Sequence, residues 1–209
     1  MARRSDHSRE ELQALALDAA AALVEREGPG ALTARRVAAA IGYSAGTLYN
    51  IFANLDELVV HLNARTLDQL QALLGRHKLG GKPAADVERL FKTYLAYLDA
   101  HPNLWNLLFE HRMESDAPLP DWYRKKIDGV LGLLAQALAP AFPPSRSSEA
   151  RDSAVVLWAS FHGICSLASN GQLSVVTGQT AGEMARRLTN YYLAGLTDVA
   201  PAHGDSNAR

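Results

Sequence analysis

Nothing in this chain reads as a β-strand. Runs that alternate apolar with polar residues and are rich in Val, Ile and Thr are missing, while apolar residues recur three and four apart between glycine and proline breaks. The expected fold is therefore all-α, with about nine helices whose ends can be placed from caps and breakers. Ser8 followed by Glu11 makes a capping box for a first helix. Leu12, Ala16, Ala19 and Leu23 then share one face, and Gly28-Pro29-Gly30 stops it. Thr33 caps a short helix over Ala34 to Ala40, Gly42 makes a turn, and Ser44 caps another over Ala45 to about Ile51. Asn54, with Glu57 three residues on, opens a longer helix from Leu55 to about His77.

Gly80-Gly81-Lys82-Pro83 is the clearest break beyond that point. Helices are then expected over Ala84 to Ala100, Pro102 to Met113, Asp121 to Leu138, Ser148 to Asn170 and Thr180 to Val199. This organisation divides the chain into a head (residues 1–54, with an arm over 1–7), a helical body (55–200) and a flexible tail (201–209).

The window from Leu32 to Leu58, LTARRVAAAIGYSAGTLYNIFANLDEL, carries the functional signal. Two short helices joined by a tight turn must cross closely, which needs small residues at the crossing and apolar residues on both inner faces. Ala38 and Gly42 are the small residues; Val37, Ile41, Leu48 and Ile51 are the inner ones, and Tyr43 closes the turn. That combination describes a helix-turn-helix whose second helix enters the major groove of DNA. Net charge is −1, so any basic surface must be local; between Gly28 and Leu55 the chain holds Arg35 and Arg36 and no acid. Ser44, Ala45, Gly46 and Thr47 open the second helix, small enough to let its N–H groups approach a phosphate. Thr47 suits a thymine methyl or a base-edge acceptor, and Tyr49 and Asn50 project opposite Leu48 and Ile51. Asn54 and Thr33 complete the candidate DNA contacts, and Arg3 and Arg4 suit a minor-groove arm. A solvated arm, and an alanine-rich hairpin inside a helical protein, are the plainer alternatives.

Over roughly residues 8–60 the chain resembles the TetR family of transcriptional regulators, on Thr33, Ala38, Gly42, Thr47, Leu48, Tyr49, Phe52 and the Asp56-Glu57-Leu58 run. The resemblance implies that Thr33, Ser44, Thr47 and Tyr49 touch double-stranded operator DNA. It also implies a homodimer formed through the last two helices and an inducer held in the body. One departure is Leu55, where family members often place a lysine. Trp158 with Phe161-His162-Gly163 is similar to a pattern in one subgroup of such bodies.

The body fits these expectations on its own chemistry. Ala154 to Ala168 is apolar nearly all round, with Trp158, Phe161 and Cys165 in one row and the small residues Ala159, Gly163 and Ser166 in another. Such a helix is buried on more than one side, and a small row admits a close second helix. Met184, Leu188, Tyr191, Gly195 and Val199 form a matching stripe. Trp105, Phe109, Trp122, Trp158 and His162 are the candidate lining of a small-molecule pocket, although aromatics also dominate ordinary cores.

Other classes find little support. His101 and His111 lie ten residues apart without a cysteine partner, so no metal is expected. No phosphate loop, nucleophile elbow or His-Glu-x-x-His is present, and neither catalysis nor a cofactor is expected. The single cysteine, Cys165, fits a reducing cytoplasm. The basic start lacks the apolar run of a signal peptide, and Ala154 to Ala168 is shorter than the ~20 residues that span a bilayer. A helical adaptor that binds protein and not DNA remains the rival reading.

Overall fold

A computed structural model describes residues 7–110 and 118–198. Arg3 and Arg4, His111, Met113 and the expected tail 201–209 lie outside the described residues.

Ten α-helices and no strand occur among them: α1 Arg9–Glu27, α2 Ala34–Ala40, α3 Ala45–Tyr49, α4 Leu55–Leu74, α5 Pro83–Ala100, α6 Pro102–Glu110, α7 Asp121–Leu138, α8 Glu149–Ser169, α9 Leu173–Val176 and α10 Ala181–Asp198. The all-α expectation holds. The helix beyond the expected nine is α9, a single turn whose Leu-Ser-Val-Val sequence carries no helical period. Two ends come early. α3 stops at Tyr49 and continues as a turn through Ile51, and α4 stops at Leu74, short of His77.

The chain forms two compact units: residues 1–70 with 97–127, and residues 71–96 with 128–209. The boundary between these units runs inside α4, α5 and α7, so each of the three passages of the chain from one unit to the other lies within a helix.

One hydrophobic cluster of the first unit builds the head. Ala16, Ala20 and Val24 of α1, Val37 and Ala38 of α2, Leu48 of α3 and Leu58, Val59 and Leu62 of α4 meet Leu104 and Leu107 of α6. The three-helix head is thus completed by residues beyond it in sequence. Asn103 Nδ2 donates to the Glu25 carbonyl at 2.9 Å, and His101 Nδ1 lies 2.8 Å from the Glu25 carboxylate, which ties the start of α6 to the end of α1.

In the second unit α8 packs on α10. Phe161 of α8 is fully buried and stacks face to face on Phe91 of α5 at 3.8 Å, with Tyr94 edge-on at 5.4 Å. Asp86 closes the Gly80–Pro83 turn. Its buried carboxylate accepts from the Gly80 N–H at 3.0 Å and the Lys82 N–H at 3.1 Å, and pairs with Arg89. The Gly80 N–H, ahead of the other causes, holds the Asp86 carboxyl below the usual range, against the opposing effect of burial.

Candidate nucleic-acid interface

Local chemistry sets the reading unit in place. Thr33 begins α2 by accepting the Arg36 N–H at 3.3 Å, and Ser44 begins α3 by accepting the Thr47 N–H at 3.2 Å. Between them Gly42 adopts φ +77°, a left-handed conformation that side chains disfavour. The Tyr43 N–H then returns to the Ala38 carbonyl at 2.9 Å. Val37, Ala38, Leu48 and Phe52 are each at most 2 % exposed, so the expected inner faces are the ones that pack. Asn54 accepts the Glu57 N–H at 2.8 Å while the Glu57 carboxylate accepts from the Ala53 N–H, which fixes the entry into α4. Leu55, where a lysine was missed, is half-buried against the core.

The outward set is also clear. Thr33, Arg35, Arg36, Ser44, Gly46, Asn50 and Asn54 are exposed, and Tyr49 is 50 % exposed. Ala45 and Thr47 are half-buried, and the Ser44 and Thr47 hydroxyls lie 3.0 Å apart. Arg35 and Arg36 differ in a way the sequence window concealed. Arg36 reaches back to Glu27 at 2.7 and 2.9 Å, and Arg26 reaches the same carboxylate. Arg26 first, then Arg36, lowers the Glu27 carboxyl below its usual range. Two guanidiniums sharing one carboxylate leave the cluster positive, but Arg36 is held by its partner. Arg35 carries no ion pair among the described residues.

Sequence reasoning also missed the start of α1. His7 Nδ1 lies 3.0 Å from the Tyr43 hydroxyl, and Arg9 donates to the Ile51 carbonyl at 3.3 Å. These contacts span 36 and 42 residues, so no local signal could reveal them.

The five pocket candidates separate. Trp105, 1 % exposed, packs at 5.1 Å from Phe109 in the first unit. Trp122, 39 % exposed, stacks on His61 of α4 at 4.9 Å in the same unit. Trp158 and His162 belong to the second unit, stacked at 5.3 Å on successive turns of α8. Among the described residues no three His, Cys, Asp or Glu side chains gather as a metal would need. No described helix is long and apolar enough to cross a membrane.

A capped pair of short helices packed inward through Val37, Ala38 and Leu48, with polar side chains outward, defines a helix-turn-helix DNA-binding protein. Gly42 serves the turn through its left-handed backbone and not a close crossing, since nothing lies within 4 Å of its Cβ position. Sequence profiles name the family. Residues 16–62 match the bacterial regulatory proteins of the tetR family, and residues 87–191 match the tetracyclin repressor-like C-terminal domain. The chain belongs to the TetR family and is a DNA-binding transcriptional regulator. Solved structures share its fold. A Rhodococcus sp. RHA1 protein of unknown function is 22 % identical with a TM-score of 0.69, over 93 % of this chain and 98 % of that one. A TetR-family transcriptional regulator from Streptomyces coelicolor is 20 % identical with a TM-score of 0.66, over 91 % and 100 %. Thermus thermophilus FadR, a TetR-family repressor in complex with lauroyl-CoA, is 18 % identical with a TM-score of 0.61, over 92 % and 100 %. Among curated proteins no sequence relative matches.

Proposed function

We propose that the protein is a cytoplasmic, dimeric repressor that a small molecule releases from a palindromic operator. The observation that carries this reading is the outward face of α2 and α3. Thr33, Arg35, Ser44, Tyr49 and Asn50 are exposed there, and Leu48 and Phe52 anchor the same turns from within. Thr47, Ala45 and Gly46 meet base edges from the first turn of α3, and Asn54 meets the backbone at the start of α4. Arg35 supplies the phosphate contact, with Arg36 a weaker partner because Glu27 already holds it.

Dimerisation through α8 and α10 is supported by the apolar and small residues these packed helices leave outside. Val155, Val156 and Leu167 are 40, 54 and 39 % exposed on α8, and Ala159 and Gly163 are exposed between them. Tyr191 on α10 is 70 % exposed. A symmetric pair of heads then reads two half-sites. The lauroyl-CoA complex of a fold relative supports an effector site in the body. Its occupation acts on DNA through α4, the helix that begins at Leu55 beside the reading unit and ends at Leu74 in the second unit.

Selection of the purified protein on random duplex DNA, repeated across salt concentrations, tests the reading. The expected result is an enriched palindrome with half-sites about one helical turn apart or in a longer symmetric arrangement, and affinity that falls steeply with salt. No enrichment at any salt leaves the helical-adaptor alternative. Tyr49→Phe sharpens the test: affinity for the selected site falls while folding and dimerisation stay unchanged.

A further inference from the structure

We infer that Glu27 restrains the protein's affinity for DNA by holding Arg36 back from the phosphate backbone. The inference rests on the DNA-facing reading of α2 and α3 above and names the residue that limits its strength. The head is short of positive charge. Residues 1–54 hold six arginines and no lysine against six Asp or Glu side chains, and Leu55 stands where family members often place a lysine. A duplex therefore meets a head whose charges cancel in sum. How each arginine is held then decides how many phosphates the head neutralises.

Arg36 is held at three points. Its Nη2 donates to both Glu27 carboxylate oxygens, at 2.9 and 2.7 Å, and its Nη1 donates to the Ala31 carbonyl at 3.4 Å. These contacts turn the guanidinium back toward the end of α1, although Arg36 lies on the first turn of α2, three residues past the Thr33 cap. Arg26 donates to the same carboxylate through Nε and Nη2 at 3.0 and 2.6 Å. One acid thus occupies two arginines, while Arg35 carries no ion pair among the described residues.

Helix stability does not account for Glu27. It is the last residue of the 19-residue α1, where the helix dipole disfavours a carboxylate and favours a cation. Glu25 in the same turn serves a packing contact, with His101 Nδ1 2.8 Å from its carboxylate. The Glu27 carboxylate bonds, among the described residues, to Arg26 and Arg36 alone. The Arg36–Glu27 pair is exposed, 42 % for one side chain and 35 % for the other, so water screens it and a phosphate can compete for the guanidinium. Even then the carboxylate stays beside the DNA backbone and repels it. Phosphate contacts carry no base information, so Glu27 weakens binding to every sequence alike.

Glu27→Gln tests the inference through a gain of affinity, which a damaged fold cannot give. Binding is measured from low to high salt on the selected duplex and on a random-sequence duplex. One freed phosphate contact steepens log affinity against log salt by about 0.9, which amounts to about 5-fold between 1 M and 0.15 M salt. That gain is expected on both duplexes, with thermal unfolding shifted by no more than about 2 °C. In an Arg36→Ala background most of the gain disappears. Glu149→Gln is the control: it removes one negative charge and frees one arginine, Arg146, in the second unit, and leaves affinity and slope unchanged. Unchanged affinity in Glu27→Gln overturns the inference, and reduced affinity overturns it by making Glu27 the residue that presents Arg36 to DNA. A gain that survives Arg36→Ala in full, or that Glu149→Gln matches, overturns it too, because net charge alone then explains it. The random duplex reports the gain without an operator, so failure to enrich a palindrome removes the operator reading and not this one.

Discussion

The reading head and α8 of the second unit are built by different rules. In the head each helix start is written locally. Ser8, Thr33, Ser44 and Asn54 each accept a backbone N–H three residues on. In the second unit α10 keeps such a box, with Thr180 and Glu183 exchanging bonds at 3.2 and 2.7 Å. By contrast α8 starts at Ser148 with no side-chain cap, and α9 likewise has none. What holds α8 is burial: Ala154, Leu157, Phe161 and Cys165 are fully buried along its length. A helix pinned at its ends keeps a defined entry angle, which a recognition helix needs. A helix held along its flank is positioned by its neighbours and follows them when they move.

The largest test of that contrast is in the cores. Phe161→Ala removes the ring stacked on Phe91 and costs about 3–5 kcal/mol in urea unfolding. Phe52→Ala, 1 % exposed in the head, costs a similar ~3–5 kcal/mol. A Phe161→Ala cost below ~1 kcal/mol would remove flank packing as the support of α8. Caps come next. Thr33→Ala and Ser44→Ala each cost about 1 kcal/mol, whereas Ser148→Ala stays within about 0.5 kcal/mol, all read by thermal unfolding. Equal effects at the three positions would erase the distinction.

Charge gives a smaller effect. On the selected duplex, Arg35→Ala lowers the steepness of log affinity against log salt by about 0.9, one phosphate contact. Arg36→Ala lowers it less, because Glu27 already holds that guanidinium away from a phosphate. The smallest effect is on acid stability. The folded-state carboxyl of Asp86 titrates below its ordinary range, chiefly because the Gly80 N–H binds the charged form. A depressed carboxyl stabilises the fold above its unfolded-state range, and that contribution fades as pH falls through the folded one. Asp86→Asn therefore lowers stability at neutral pH and flattens its decline in acid, measured as unfolding midpoints from neutral to acid pH.

Much of the head was legible because its determinants are close in sequence. Ser8 with Glu11, Thr33, Gly42, Ser44 and Asn54 each act within a few residues, and all are found in those roles. What was hidden is what crosses distance. Glu27 lies one residue before the acid-free window, so its hold on Arg36 could not be counted. Leu104 and Leu107 enter the head core from α6 because the folded chain returns there, and no periodicity announces it. α9 was hidden for a different reason: one turn with two adjacent valines has too few residues to display a period. Its Val175 and Val176 stay 78 and 71 % exposed. The pocket candidates share a residue type, large aromatic or imidazole rings, and residue type cannot tell Trp105, sealed in one unit, from Trp158, at the edge of a cavity in the other.

The three passages through α4, α5 and α7 carry a practical consequence for exchanging heads between regulators. A seam at Leu70–Gln71 joins helix to helix, so the graft has an angular phase as well as a position. Each residue added or deleted there turns everything downstream by about 100° and shifts it by about 1.5 Å. Because two further seams, at 96–97 and 127–128, return the chain through helices, an error at one cannot be absorbed by slack at another. Chimeras of this chain should work as a set of discrete splice registers and fail between them.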